Sequence, residues 1–274
     1  MALTSRTAAR ASGSGVGLLL RRWREARAVS QLDLALRAGF SARHVSFIET
    51  GRAQASRDAL LTLGEALDMP LRDRNRLLEA GGYAPVFRST PLSAGEMGHI
   101  RGVLQFILDR HLPYAAVVLD RYANCVMGNG ASGRLLRRFV DPSLLSEHAN
   151  HLRVIFHPLG LRRVIVNWEE VSRHLLADAE RDLDDADDPV AAALLDELRG
   201  FAGGWKRPAD DVCLEPDSLL LPVHLRADGV DLRLFSTIMS LGSPRDVTLQ
   251  DLRIETFFPA DAASESAWRA LCPG

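Results

Sequence analysis

From Val16 to Ala84 apolar residues recur every three or four positions, the spacing of helices that bury one face. In "VGLLLRRWREAR", Leu19, Leu20, Trp23 and Ala26 share a face, and the arginines lie mostly off it. Ser30 is placed to cap "QLDLALRAG", in which Leu32, Ala35 and Leu36 are expected to point inward. Gly39 follows, able to take the left-handed backbone that closes a helix. Ser41 then caps "ARHVSFIETG", Ser56 caps "RDALLTLGEALDM", and Pro70 opens "LRDRNRLLEAGGY". The pattern breaks in "PVFRSTPLSAGEMG", whose Pro, Ser and Gly predict a linker over 86–95.

Beyond the linker the period changes. A helix is expected from Glu96 to His111, then two short β-like runs, "YAAVVLD" and "NCVMG", joined tightly by "RYA". A helix reaching Phe139 follows. "WEEVSRHLLADAERDLDDADDPVAAALLDELRGF" reads as helix, acidic break, helix. The last third alternates with period two. "LLLPVHLR" places Leu219, Leu221, Val223 and Leu225 on one face. "VDLRLFSTIMSL" does so for Val230, Leu232, Leu234, Ser236 and Ile238, and "LRIETFF" for Leu252, Ile254, Thr256 and Phe258. Asp228-Gly229 between the first two is a hairpin turn signal. The fold expected is mixed. A leader (1–14) precedes an all-α five-helix domain (15–85), the linker (86–95) and an α+β domain (96–274) whose five-stranded antiparallel sheet carries helices over one face.

Gly128-x-Gly130-x-x-Gly133 has the glycine spacing of a dinucleotide-binding loop. Such a loop needs parallel strands joined by a helical crossover. Here the preceding run has a hairpin partner instead, and Glu147, about 20 residues on as the ribose-binding acid should be, lies in a segment that is not strand-like. The glycines read better as a tight start to a helix capped by Asn129. No cofactor is expected. An enzyme or an NAD(P)-sensing domain fused to the helical domain is the alternative.

Composition sharpens this picture at one point. The net charge of −2 divides unevenly: residues 1–90 hold 14 Arg against eight acids, which is +6, and residues 91–274 hold 19 basic against 27 acidic residues, which is −8. A basic front and an acidic back suggest a polyanion partner for the front alone. The first 17 residues lack the apolar core of a signal peptide, and no run is long enough to span a membrane. Cys125, Cys213 and Cys272 have neither metal-ligand nor redox spacing, and free thiols in a reducing cytoplasm are expected. No G-x-S-x-G, H-E-x-x-H, Walker loop or C-x-x-C is present, so neither a catalytic site nor a metal site is predicted. His148 and His151 lack further ligands, and "DLDDADDP" reads as a solvated loop.

Two short helices separated by Gly39-Phe40-Ser41 make a helix-turn-helix candidate. Val45 and Ile48 anchor the second helix, leaving Ala42, Arg43, Ser46, Phe47 and Thr50 outside. Small residues, one Arg and one large apolar group suit a major groove, where Arg binds guanine O6 and N7 and an apolar group meets a thymine methyl. "SQLDLALRAGFSARHVSFIETGRAQASRDALLTLGEAL" resembles the phage-repressor-like Cro/C1, or XRE, helix-turn-helix. The resemblance implies that Gln31 and Ser41 hold phosphates and that Ala42, Arg43 and Phe47 face base edges. It also implies that His44 reaches the backbone or a base, and that Arg52 anchors near a phosphate. One such unit reads few base pairs, so a homodimer on double-stranded DNA is expected.

"YAAVVLDRYANCVMGNGASG", "NHLRVIFHPLGLRRVIVNWEEVSRHLL" and "LFSTIMSLGSPRDVTLQDLRIETFFPAD" resemble the PAS-like ligand-binding domain of MmyB-like transcription regulators. "GNGASG" departs from the Asn followed by alanines expected there. The resemblance implies an apolar cavity for a small molecule, with a fatty acyl chain as the most suggestive class. Asn129, Ser236 and Thr256 are the candidate ligand-binding residues, the last two being hydroxyls on otherwise apolar strand faces.

Overall fold

A computed structural model describes residues 15–146, 149–183, 188–203 and 220–272. The chain divides into two compact units, one of residues 1–91 with 243–250, the other of 92–242 with 251–274. The first unit is therefore discontinuous in sequence, where a single cut at 86–95 was expected.

The first unit holds helices α1 (residues 15–26), α2 (Gln31–Ala38), α3 (Ala42–Glu49), α4 (Arg57–Ala66) and α5 (Leu71–Ala80). Their starts follow from serine chemistry. The hydroxyls of Ser30, Ser41 and Ser56, each in extended backbone, accept the N–H of Asp33, His44 and Ala59. Gly39 closes α2 at φ 70°. Val16, Leu20, Leu34, Ala35, Val45, Ile48, Leu60, Leu63 and Leu77 are among its core residues. Leu32 and Leu36 are 58% and 71% exposed, contrary to the inward orientation expected of them. Residues 32 and 36 form one row along α2, residues 34 and 38 another about 200° away. The second row wins because Ala35 and Ala38 beside Leu34 allow close packing. Gly17 shows the same economy of space, since a methyl there would collide with the backbone at Glu49.

The start of α5 has no side-chain cap of its own. Gln250, 179 residues away, supplies one: its Oε1 accepts the Leu71 N–H at 2.6 Å. Asp246 accepts both the N–H and the hydroxyl of Thr90, and Val247 N–H donates to the Arg88 carbonyl. Asn75 bonds the backbone of Val86 and Phe87 through both ends of its amide. The first half of the expected linker is thus fastened to the helical unit.

The second unit contains α6 (Gly98–Arg110), β1 (Ala116–Leu119), β2 (Cys125–Gly128), α7 (Gly130–Phe139), α8 (His151–Phe156), α9 (Trp168–Asp182), α10 (Pro189–Phe201), β3 (Val223–Ala227), β4 (Val230–Met239), β5 (Arg253–Pro259) and α12 (Ala262–Leu271). Between β4 and β5 the chain contributes α11 (Val247–Asp251), most of which belongs to the first unit. The five strands form one antiparallel sheet in the order β2-β1-β5-β4-β3. Asp228 and Gly229 both take positive φ, as the two-residue hairpin between β3 and β4 requires. β3 begins only at Val223, because Pro222 has no N–H to give a ladder. Leu225, Leu232 and Leu234 join Leu135 and Phe139 of α7, Phe156 of α8, Leu176 of α9, Leu194 and Leu198 of α10 and Trp268 of α12 in one core. Among the described residues no helix is long and apolar enough to cross a membrane.

Candidate functional site

In α3 the apolar positions do what their spacing predicts: Val45 is fully buried and Ile48 nearly so. The rest of the helix is organised from its two ends. At the start, the Ser41 oxygen accepts the His44 N–H at 3.2 Å, which leaves the hydroxyl proton free to be donated outward. At the end, Glu49 lies with its side chain 2% exposed and takes a bidentate pair from Arg24, at 2.7 and 3.0 Å. Arg24 also donates to the Val29 carbonyl, and Gln31 donates its amide N–H to Glu49 at 2.8 Å. The Arg24 guanidinium is held above its ordinary pKa, chiefly by the hydrogen bond to Glu49. This network ties α1, α2 and α3 together. Nothing local in the sequence links Arg24 to Glu49, 25 positions apart.

Arg43 is exposed and makes no hydrogen bond or ion pair among the described residues; its guanidinium lies over the Phe47 ring, 5.1 Å from the centroid. Two of the three side chains expected to face base edges thus lie together as one cationic-aromatic surface. Phe47 is half-buried but does not join the core of its unit. Ala42 differs from expectation: it is half-buried and packs against that core. His44 is half-buried, its ring 5.4 Å from that of Phe40. Arg52 is exposed. Gln31, Ser41, Arg43, His44, Phe47 and Arg52 all belong to this one unit.

In the second unit the glycine motif follows β2, which runs antiparallel to β1, so no parallel crossover surrounds it. Asn129 caps α7: its Oδ1 accepts the N–H of Ser132 and of Ala116, and its amide N–H groups go to the Leu108 and Tyr114 carbonyls. Every polar position of this buried side chain is engaged within the fold. Gly128 is needed at close quarters, because a Cβ there would lie 2.9 Å from the Ser132 hydroxyl.

Ser236 and Thr256 are not brought together. Thr237, not Ser236, stands opposite Thr256, so Ser236 projects to the other face of the sheet. Thr256 is buried and its hydroxyl bonds that of Thr237 at 2.7 Å. Ser236 is exposed, and Ile238 on the same face is 62% exposed. The alternation in sequence located each face correctly within a strand but not which faces coincide between strands.

A cleft of about 480 Å³ opens in the second unit, lined by Leu112, Pro113, Gly130, Arg134, Arg269 and Cys272. Its walls are held by the Trp268 indole N–H on the Pro113 carbonyl at 3.0 Å and by the buried Cys272. Arg269 donates to Glu265 at 2.5 Å, and the Tyr114 hydroxyl donates to the other oxygen of the same carboxylate at 2.7 Å. The Tyr114 hydrogen bond is the main cause holding Glu265 below the ordinary carboxylate range. Among the described residues Arg134 has no such partner, and its buried Nε makes no hydrogen bond. No group of metal-ligating side chains occurs among the described residues. His151 sits 3.5 Å from Glu255, and its sequence neighbour His148 lies outside the described residues, as do Cys213 and residues 184–187 of the acidic run. Cys125 and Cys272 are free thiols.

Residues 100–271 match the family model of the MmyB-like transcription regulator ligand binding domain, and residues 16–77 match a helix-turn-helix domain model. Among solved structures the chain is similar to the restriction-modification controller protein C.AhdI from Aeromonas hydrophila, at 32% identity over 23% of this chain and 94% of that one, with a TM-score of 0.22. It is also similar to the clp gene regulator ClgR from C. glutamicum, at 30% identity over 26% of this chain and 90% of that one, with a TM-score of 0.23. No curated protein matches it.

Proposed function

The chain belongs to the MmyB-like transcription regulators, DNA-binding helix-turn-helix proteins with a ligand-binding domain, and from that premise we propose that it reads a specific double-stranded DNA operator as a homodimer and senses an apolar small molecule, a fatty acyl compound being the class favoured. The observation that carries the reading is the outer face of α3. A helix held at both ends presents Arg43 over the Phe47 ring, with no hydrogen-bond or ion-pair partner among the described residues to compete for it. Arg43 is the base reader, at a guanine whose O6 and N7 accept its fork, and Phe47 meets a neighbouring apolar base edge. Ser41 and Arg52 bind phosphates, and His44, braced on Phe40, lies beside them. One N–H of the Gln31 amide goes to Glu49, which fixes α2 to α3 and leaves the second N–H to be donated to a phosphate.

Binding-site selection with the wild type and Arg43→Ala tests the core of this. The variant should lose about 1–3 kcal/mol of specific binding and relax preference at one position of each half-site. An unchanged motif at unchanged strength removes Arg43 as a reader. Footprints should show two half-sites about 10 base pairs apart centre to centre, or a multiple of that. One short asymmetric footprint speaks against the dimer. Adding decanoyl compounds to the protein–DNA complex should change operator affinity, and no response to any apolar compound removes the sensing role.

A further inference from the structure

We propose that residues 243–250 are a regulatory strap, through which the state of the β4–β5 strand pair in the ligand-binding unit sets the placement of α5 in the DNA-binding unit. The proposal rests on the reading of the chain as a ligand-responsive DNA-binding regulator and adds the element that carries the response.

Chain order puts the segment where it can carry one. It leaves the end of β4 and returns into β5, two strands of the second unit that pair from Leu234 with Pro259 to Met239 with Ile254. Residues 243–250 themselves belong to the first unit. A slide of β4 against β5 therefore moves the two ends of a segment whose middle is anchored elsewhere. An ordinary strand connection runs over the surface and is held by little. Here Asp246, Val247, Thr248 and Gln250 all fasten it. One Asp246 oxygen accepts the Thr90 N–H at 3.1 Å and the Thr90 hydroxyl at 2.7 Å, and the other accepts the Thr248 N–H at 2.8 Å. Val247 is 2% exposed, and its N–H donates to the Arg88 carbonyl at 2.8 Å. The hydroxyls of Thr248 and Ser89 are 3.3 Å apart.

Gln250 makes the fastening regulatory. Its oxygen accepts the Leu71 N–H, and α5 has no side-chain cap of its own, so a strap residue defines the first turn of that helix. α5 buries Leu77 and Leu78 in one core with Leu60 and Leu63 of α4, Leu34 of α2, and Val45 and Ile48 of α3. Packed cores switch between discrete arrangements rather than deform smoothly, so a displaced α5 reaches the helix that presents Arg43 and Phe47. The backbone is strained where the strap begins. Ser243 takes φ 52°, a left-handed conformation seldom adopted by residues other than glycine, directly before Pro244. Such a conformation persists where its surroundings over-determine it, and it recurs in switch regions.

The test perturbs the sheet and reads α5 in the full-length protein. Thr256→Val removes the hydroxyl that pairs with Thr237, and Phe235→Ala removes the ring stacked on Phe258; both act between β4 and β5. Hydrogen exchange over Leu71–Ala80 is measured by mass spectrometry for each sheet variant, alone and combined with Gln250→Ala, Asp246→Ala or Gln250→Glu. At least one sheet variant should change α5 exchange by roughly threefold or more, the scale of coupling within one network. Gln250→Ala should abolish that response, and Asp246→Ala, which cuts the other anchor and leaves the α5 cap in place, should abolish it too. Gln250→Glu keeps an acceptor for the Leu71 N–H and should preserve it. Affinity for the operator duplex selected by the wild type should follow the same pattern. No α5 response to either sheet variant, or a response that survives both strap cuts, overturns the proposal. So does an α5 response that leaves operator affinity unchanged. Failure to select any operator sinks the DNA-reading premise instead, and α5 exchange then decides the strap alone.

Discussion

Helices α3 and α7 start alike: Ser41 and Asn129, each in extended backbone, accept the N–H three residues on. Beyond the cap they part. Ser41 is exposed and has no further bond to accept, so α3 begins at the surface and offers donors to an outside partner. Asn129 is buried and its amide also knits β1 and the α6–β1 turn to α7. The arginines differ accordingly. Arg43 lies open over an aromatic ring, ready for a large, flat, polyanionic surface. Arg134 lies one turn into α7 near Gly130, its Nε buried and without a hydrogen bond among the described residues. The same cap signature therefore starts one helix at the surface and another inside the fold, and burial around the cap sets what removing it costs.

The largest effect expected on this comparison comes from the far end of α3. Glu49→Ala should lower the stability of the first unit by about 3–5 kcal/mol, because it leaves the Arg24 guanidinium without its bidentate partner in a mostly buried place. Chemical denaturation of residues 1–274 followed by Trp23 fluorescence reads it. A loss below about 1 kcal/mol means α3 is held by its cap and core alone. Next comes Asn129→Ala against Ser41→Ala. The surface cap should cost about 1 kcal/mol. The buried one should cost about 3 kcal/mol, since removing it also strands the Ala116 N–H and the Tyr114 carbonyl. Equal losses would erase the distinction between the two caps. Gln250→Ala, which removes the remote acceptor of the Leu71 N–H, should cost about 1 kcal/mol in the first unit. Arg52→Ala should leave stability alone, weaken DNA of every sequence alike, and reduce the salt slope by about one unit.

What could be read in the sequence was what is decided within one turn or one strand. Ser30, Ser41, Ser56, Asn129 and the Asp228-Gly229 turn were all legible, because each rule is local. So were the last three strands of the sheet, whose sequences alternate. What escaped was decided at a distance. Leu32 and Leu36 satisfy the same i,i+4 spacing as Leu34 and Ala38, and only the shape of the neighbouring helices selects between the rows. Ser236 and Thr256 sit on the expected strands, but the register pairs Thr237 with Thr256 and sends Ser236 to the opposite side. Arg24 with Glu49, and Gln250 with Leu71, meet across 25 and 179 residues.

The smallest effect belongs to Gly130, and it separates the two histories of the glycine motif. As the first residue of α7, without positive φ, it sits in helical backbone that alanine prefers, a gain of about 0.4–1 kcal/mol. Against this, the new methyl meets Arg134 Nη1 at 3.4 Å, an ordinary contact at its near limit, with the flexible end of a side chain. Gly130→Ala should therefore leave the melting temperature unchanged or slightly raised. A pyrophosphate cradle makes the reverse demand, since the second glycine is where the backbone approaches the phosphates. Calorimetry at millimolar NAD or NADP should give no saturable heat for either protein. Saturable dinucleotide binding that Gly130→Ala abolishes would return this helix start to the nucleotide-binding loops it mimics in spacing, and with it the enzyme alternative.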